Sequence, residues 1–262
     1  MGYICVAADY LGLGDSYIVP PFLLAENSAI TVIDMLRASD KYFESQGIAT
    51  DGSLYLTGYS QGGHVTLATH REIEQNYSDE FQVTASAPLA GPYDLASTID
   101  TVMEWGTYNQ PILFTYLMNS YNHYYGWDRL NEIFQEPYAS EIPGYFDGSQ
   151  AMASINLKLP QSLESLLQEK FIADYKSGAE EDLKKALLDN SLMNFIPTAP
   201  MLLIHGDQDK TVPHFNALNL MNYYESSGKT NMELMIVEGD HVSAAEAAIV
   251  GAMAWFETLR NK

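Results

Sequence analysis

Residues 54–63 read Leu-Tyr-Leu-Thr-Gly-Tyr-Ser-Gln-Gly-Gly, a short strand-forming run that breaks at Gly58-x-Ser60-x-Gly62 and resumes as a helix through His64-Val-Thr-Leu-Ala. A serine on so sharp a strand-to-helix turn stands clear of both elements, with the first amides of the helix beside it, and the glycines leave room for the turn. Its hydroxyl becomes an effective nucleophile only if a base lies within reach and donors hold the charge that develops on the attacked group. The five letters alone can arise by chance in a glycine-containing loop. Here Leu54 and Leu56 before the serine, and Val65, Leu67 and Ala68 after it with no proline, supply the strand and the helix that such a turn requires.

A serine nucleophile of this kind needs an acid and a histidine elsewhere in the chain. Residues 201–213, Met-Leu-Leu-Ile-His-Gly-Asp-Gln-Asp-Lys-Thr-Val-Pro, read as a buried strand followed by a loop with two aspartates and a helix-starting proline. Residues 232–243, Met-Glu-Leu-Met-Ile-Val-Glu-Gly-Asp-His-Val-Ser, read as another strand ending in a glycine turn that carries His241. Each candidate follows a strand's C-terminal end, where parallel α/β sheets bind ligands. Asp207 and Asp209 both remain candidates for the acid on these grounds. Asp207 also suits a loop role, its carboxylate accepting backbone N–H bonds.

The chain resembles the α/β-hydrolase superfamily in G-x-S-x-G at 58–62, H-G-D-x-D-x-x-V-P at 205–213 and G-D-H at 239–241, and the general pattern runs through nearly the whole sequence. The resemblance implies Ser60 as nucleophile, Asp209 as acid and His241 as base. Asp94, in Ala90-Gly-Pro-Tyr-Asp94, is a third place for the acid, used by some members. Residues 2–16, with the D-Y-x-G-x-G-x-S loop at 9–16, resemble the fourth strand of that fold and the loop after it. The three strands that usually precede it, and the H-G-G loop that donates one oxyanion N–H, are absent from this sequence. Together with Gly-Tyr-Ser60-Gln-Gly-Gly-His and Ile33-Asp-Met-Leu-Arg37-Ala, this segment looks most like the branch containing the secreted fungal-type lipases and their bacterial relatives. That likeness implies an oxyanion hole from Gln61 and Asp9. Asp9 also suits bracing of the Tyr10–Gly14 turn.

The remaining histidines have simpler readings. His64, one helical turn after Ser60, suits packing or capping as well as an approach to the site. His205 matches a superfamily position that is usually structural, while His70, His123 and His214 have no local partner pattern. No histidine sits among acidic neighbours at ligand spacing, so neither a catalytic metal nor another cofactor is expected.

Alternation of apolar strands near 3–8, 53–57, 83–89, 200–204 and 232–237 with helices near 22–46, 61–76, 213–227 and 243–260 predicts a mostly parallel sheet covered on both faces, shortened at its N-terminal side. Between Asp94 and Pro197 the alternation stops. Trp105, Tyr108, Phe114, Tyr116, Tyr121, Tyr124, Tyr125 and Trp127 crowd this stretch, followed by helical patterns near 161–175 and 179–190. The expected organisation is a hydrolase core of residues 1–94 and 196–262 and a helical lid of residues 95–195. Such a lid would bind an acyl or alkyl group and exclude water. The shortened sheet leaves an edge that a homodimer would cover.

With 13 Lys and Arg against 34 Asp and Glu, the formal net charge is −21, which repels nucleic acid and anionic membrane surfaces and suits salt-screened surroundings. A single cysteine, Cys5, forbids an intrachain disulfide. No run is long enough to span a membrane, and the N-terminus lacks the basic start of a signal peptide, although a longer parent sequence could encode export.

These readings converge on a serine carboxylesterase for short to medium acyl esters, with a small-molecule ester as substrate. The alternatives are a true lipase, a serine peptidase of the prolyl-oligopeptidase type, and an inactive hydrolase-fold scaffold.

Overall fold

Successive residues of Met201-Leu-Leu-Ile204 point to opposite faces of a sheet, and all are apolar, so this strand is stable only with helices packed on both sides. In the computed structural model, which describes residues 2–260, it is the third of four parallel strands. These are β1 (Leu54–Tyr59), β2 (Val83–Leu89), β3 (Met201–Gly206) and β4 (Met232–Val237), in the spatial order β1-β2-β3-β4.

Helix α1 spans Ala25–Gln46 and α2 Gln61–Asn76. Between β2 and β3 come α3 (Leu95–Trp105), α4 (Pro111–Tyr124), α5 (Leu130–Ile133), α6 (Tyr138–Tyr145), α7 (Met152–Asn156), α8 (Leu163–Leu166), α9 (Glu169–Ser177) and α10 (Glu181–Asn190). Helices α11 (Phe215–Glu225) and α12 (Ala245–Arg260) follow β3 and β4. The chain divides into two compact units.

The first unit comprises residues up to Ala8, Ala25–Asp94 and the chain from Ser191 on. Met201 and Leu203 pack with Leu67 and Ala68 of α2 and Ala217, Leu220 and Tyr224 of α11. Leu202 and Ile204, one residue out of phase, join Ala85, Ala87 and Leu89 of β2 against Ala248, Ala252 and Phe256 of α12. Helix α1 reaches the sheet through Ile33, which clusters with Leu56 and Ile73. The parallel α/β sheet expected from the sequence is therefore present, with strands and helices within a few residues of their expected positions.

Residues 3–8 are the exception: expected as a strand, they join no ladder. Cys5 is exposed, as are Ile4 and Val6, and Tyr3 anchors the segment by meeting the Tyr55 ring edge-on at 5.5 Å, with the Arg260 guanidinium over it. Among the described residues this segment pairs with no strand, the open side of β1 included, and strand propensity that meets no ladder does not make a strand.

The second unit comprises Asp9–Leu24 and Leu95–Asn190. Its core is the aromatic stretch: Phe22 stacks on Tyr116 at 4.3 Å, and Tyr116 on Phe146 at 4.3 Å. The hydroxyls of Tyr121 and Tyr124 donate to the carbonyls of Leu23 (3.2 Å) and Val19 (2.7 Å). These bonds and stacks draw Asp9–Leu24 into the helical unit, although chain order groups it with residues 25–94.

Candidate active site

Ser60 has φ 60° and ψ −118°, a left-sided backbone conformation that costs a non-glycine residue about 1–3 kcal/mol. The surrounding hydrogen bonds overcome that cost. Its N–H donates to the Leu89 carbonyl of β2 at 2.9 Å, and its own carbonyl accepts from Gly63 and His64, starting α2. A Cβ at Gly58 would lie 2.5 Å from the Gly62 carbonyl oxygen, and one at Gly63 would lie 2.4 Å from the Leu89 carbonyl oxygen. The end of β1, the start of α2 and the end of β2 thus meet backbone to backbone, an approach that leaves no room for a side chain.

Asp209 lies in the loop after β3, and its side chain is buried. Oδ1 accepts from the Thr211 and Val212 N–H groups at 2.9 and 2.8 Å, and Oδ2 faces His241 Nδ1 at 2.6 Å. His205 Nε2 lies 3.4 Å from the same Oδ2 and 2.8 Å from the Val212 carbonyl. Burial by itself would raise the carboxyl's pKa. The bonds from His205 and His241, with the Val212 N–H, outweigh it and hold the group low, at about 2.

His241, in the loop after β4, spans the site: its Nε2 is 2.8 Å from Ser60 Oγ. An ionised carboxylate only accepts, so Nδ1 carries the proton toward Asp209 and Nε2 presents its lone pair to the serine hydroxyl. Ser60, Asp209 and His241 are therefore brought together by elements at both edges and the interior of the sheet.

Gln61 is the first residue of α2, where backbone N–H groups have no acceptor within the helix, beside the nucleophile. Asp9 belongs to the second unit, where a Cβ at Gly14 would lie 2.6 Å from its Oδ2, so its carboxylate rests on the turn closed by Leu13 N–H to Tyr10 O at 2.9 Å. Asp207 is occupied elsewhere: its Oδ1 accepts from Gly239 N–H at 2.9 Å and ties the two loops together. The Asp94 N–H donates to Asn216 Oδ1, and its carboxylate faces Asn219 at 3.5 Å.

His64 is buried within α2, and His70 lies between Ser86 and Glu74 at 2.8 Å each. His123 packs edge-on against Tyr124, and His214 precedes α11. Among the described residues no group of three or more His, Cys, Asp or Glu is placed to hold a metal ion, and no helix is long and apolar enough to cross a membrane.

Two contacts were not legible in the sequence. His205 was readable as structural, but its approach to Asp209 was not. Tyr59 donates its hydroxyl to the His241 carbonyl at 2.7 Å, across 182 positions of sequence, and no local pattern signals such a partner.

The family model for secretory lipases matches residues 1–261. The chain is 24% identical over 267 aligned residues to Lipase 7 of Candida albicans, covering 99% of this chain and 57% of that protein, so it spans little more than half of that lipase. Among solved structures it is similar to a Legionella pneumophila protein (TM-score 0.92, 28% identity, 100% of this chain and 71% of that one). It is also similar to the rice cell wall degrading esterase LipA of Xanthomonas oryzae (TM-score 0.82, 29% identity, 97% of this chain and 69% of that one).

Proposed function

Since the chain belongs to the secretory lipase family, whose relatives here are lipases and esterases, we propose that it is a serine carboxylic-ester hydrolase acting on short to medium acyl esters. The observation that carries this reading is His241 bridging Ser60 Oγ at 2.8 Å and Asp209 Oδ2 at 2.6 Å.

In the proposed reaction Ser60 Oγ attacks the ester carbonyl carbon as its proton passes to His241 Nε2. Asp209 holds the imidazole in the required tautomer and stabilises the cation that forms. By the family likeness, the negative charge on the carbonyl oxygen falls to the N–H groups of Gln61 and Asp9. Collapse returns the Nε2 proton to the leaving alkoxide and leaves an acyl-enzyme. Water, deprotonated by His241, then releases the acid and restores the serine. We read residues 95–195 as the lid, an apolar cover that binds the acyl chain and excludes water.

Initial rates on p-nitrophenyl esters from acetate to palmitate, with wild type beside Ser60→Ala, test the proposal. The expected result is a short-chain peak in the wild type and a loss of at least about 10³-fold in kcat in the variant, without unfolding. The family match favours a second reading, a lipase for long-chain acylglycerols, and a long-chain peak would select it. Hydrolysis that persists in Ser60→Ala would sink both. A fluorophosphonate probe that fails to label Ser60 would favour the inactive-scaffold alternative.

A further inference from the structure

Ser60 follows β1 and His241 follows β4, the two opposite edges of the sheet among the described residues. Three strand spacings separate those edges, about 14 Å at roughly 4.8 Å each. The loop carrying His241 must therefore lean back across the ends of β3 and β2 to bring Nε2 within 2.8 Å of Ser60 Oγ. Hydrogen bonds within that loop do not account for the lean. Asp240 Oδ1 accepts from the Val242 and Ser243 N–H groups, Gly239 donates to Asp207, and Gln208 N–H donates to the Gly239 carbonyl. All of these keep the loop on the β3 and β4 side.

Beside the His241–Ser60 bond itself, Tyr59 supplies a crossing contact to the loop's backbone. It is the last residue of β1 and the neighbour of the nucleophile, so its ring rides on the same rigid strand end as Ser60. Its hydroxyl donates to the His241 backbone carbonyl at 2.7 Å, and its ring lies 5.3 Å from the imidazole at a tilt of 44°. We infer that Tyr59 is a positioning residue for the reaction proposed above: its hydroxyl holds the His241 backbone over the nucleophile strand, so that Nε2 and Ser60 Oγ keep their distance through turnover.

The inference rests on the ester-hydrolase reading for its kinetic meaning, and on geometry alone for the placement of the loop. Burial, followed by the charges of Asp209 and Asp240, pushes the phenol up to about 12. The hydroxyl is therefore a protonated donor throughout the range in which His241 works as a base. Nucleophile and base are in this way gauged from one strand end, although they arrive from opposite edges of the sheet.

Tyr59→Phe keeps the ring and removes only the donor. Losing that hydrogen bond frees the His241 backbone, and misplacement of a catalytic group slows turnover. The experiment compares wild type, Tyr59→Phe and Ser60→Ala on p-nitrophenyl butyrate, with the rates of wild type and Tyr59→Phe referred to sites titrated by a fluorophosphonate and that of Ser60→Ala to total protein. The low-field proton resonance of His241 Nδ1–H is recorded alongside. The inference expects kcat per titrated site in Tyr59→Phe to fall about tenfold, KM to stay within about twofold, and the low-field resonance to broaden as the loop loosens.

Wild-type kcat together with an unchanged resonance would overturn it. So would a loss confined to KM or to the fraction of titratable enzyme, which is the pattern of a merely structural tyrosine. Absence of hydrolysis in the wild type, or its persistence in Ser60→Ala, would instead defeat the ester-hydrolase reading. The low-field resonance would then decide the positioning inference by itself.

Discussion

A carboxylate only 3% exposed is costly unless its lone pairs are filled, and Asp209 fills them from four directions: two loop N–H groups, His241, and the longer approach of His205. That arrangement explains why Asp209 and not Asp207, two positions earlier in the same loop, faces the imidazole. Asp207 spends its carboxylate on Gly239 N–H. Replacing Asp209 with Asn removes the charge and offers His241 the wrong tautomer partner. We expect kcat to fall on the order of 10³- to 10⁴-fold with the fold retained, measured as turnover per correctly folded molecule by circular dichroism and ester hydrolysis together. The residue pattern narrowed the acid to three aspartates. The resemblance favours Asp209 among them, and the structure sets Asp209 beside His241 while Asp207 meets Gly239 and Asp94 faces Asn219.

Elements join through close backbone contacts and buried polar clamps. Gly58→Ala would drive a methyl into the Gly62 carbonyl, and we expect a stability loss of about 2–3 kcal/mol, read as a lower urea midpoint at unchanged m-value. Glu74 of α2 accepts from Thr198 N–H and Ala199 N–H at 2.8 Å each and from the Thr198 hydroxyl at 2.9 Å, fastening the segment that leads into β3. Its burial would raise its pKa, but the bond from His70 and those from Ala199 and Thr198 bring it from 4.5 to about 2. A folded pKa below the unfolded one means that the stabilisation is complete above about pH 4.5 and is lost as pH falls through about 2. Glu74→Gln should therefore be less stable than wild type by about 1–2 kcal/mol at pH 7, the pKa difference being discounted for partial solvent screening, with the gap closing between pH 4.5 and 2 in urea titrations. At this scale strands and helices were readable because their periodicities are local. The clamp was not, since nothing near Glu74 in sequence points to residues 198–199.

Across the whole molecule a net charge of −21 repels itself, and salt screens that repulsion over about 10 Å at 0.1 M. Raising sodium chloride from about 0.02 to 0.3 M should lift the thermal midpoint by several degrees, whereas a flat or falling midpoint in differential scanning calorimetry would mean that specific ion pairs outweigh the global field. The α/β alternation, the turn that presents Ser60 and the loops that carry Asp209 and His241 are legible residue by residue, because each is written in a run of ten or so residues whose periodicity and turn chemistry act locally. That residues 3–8 are not a strand, that Asp9–Leu24 joins the helical unit through Tyr121, Tyr124 and Phe22, and that Tyr59 reaches His241 emerge only from the folded chain. Each of these depends on a partner supplied by a distant part of the chain, and a strand edge, a phenol or a carbonyl carries no mark in sequence of the group it will meet.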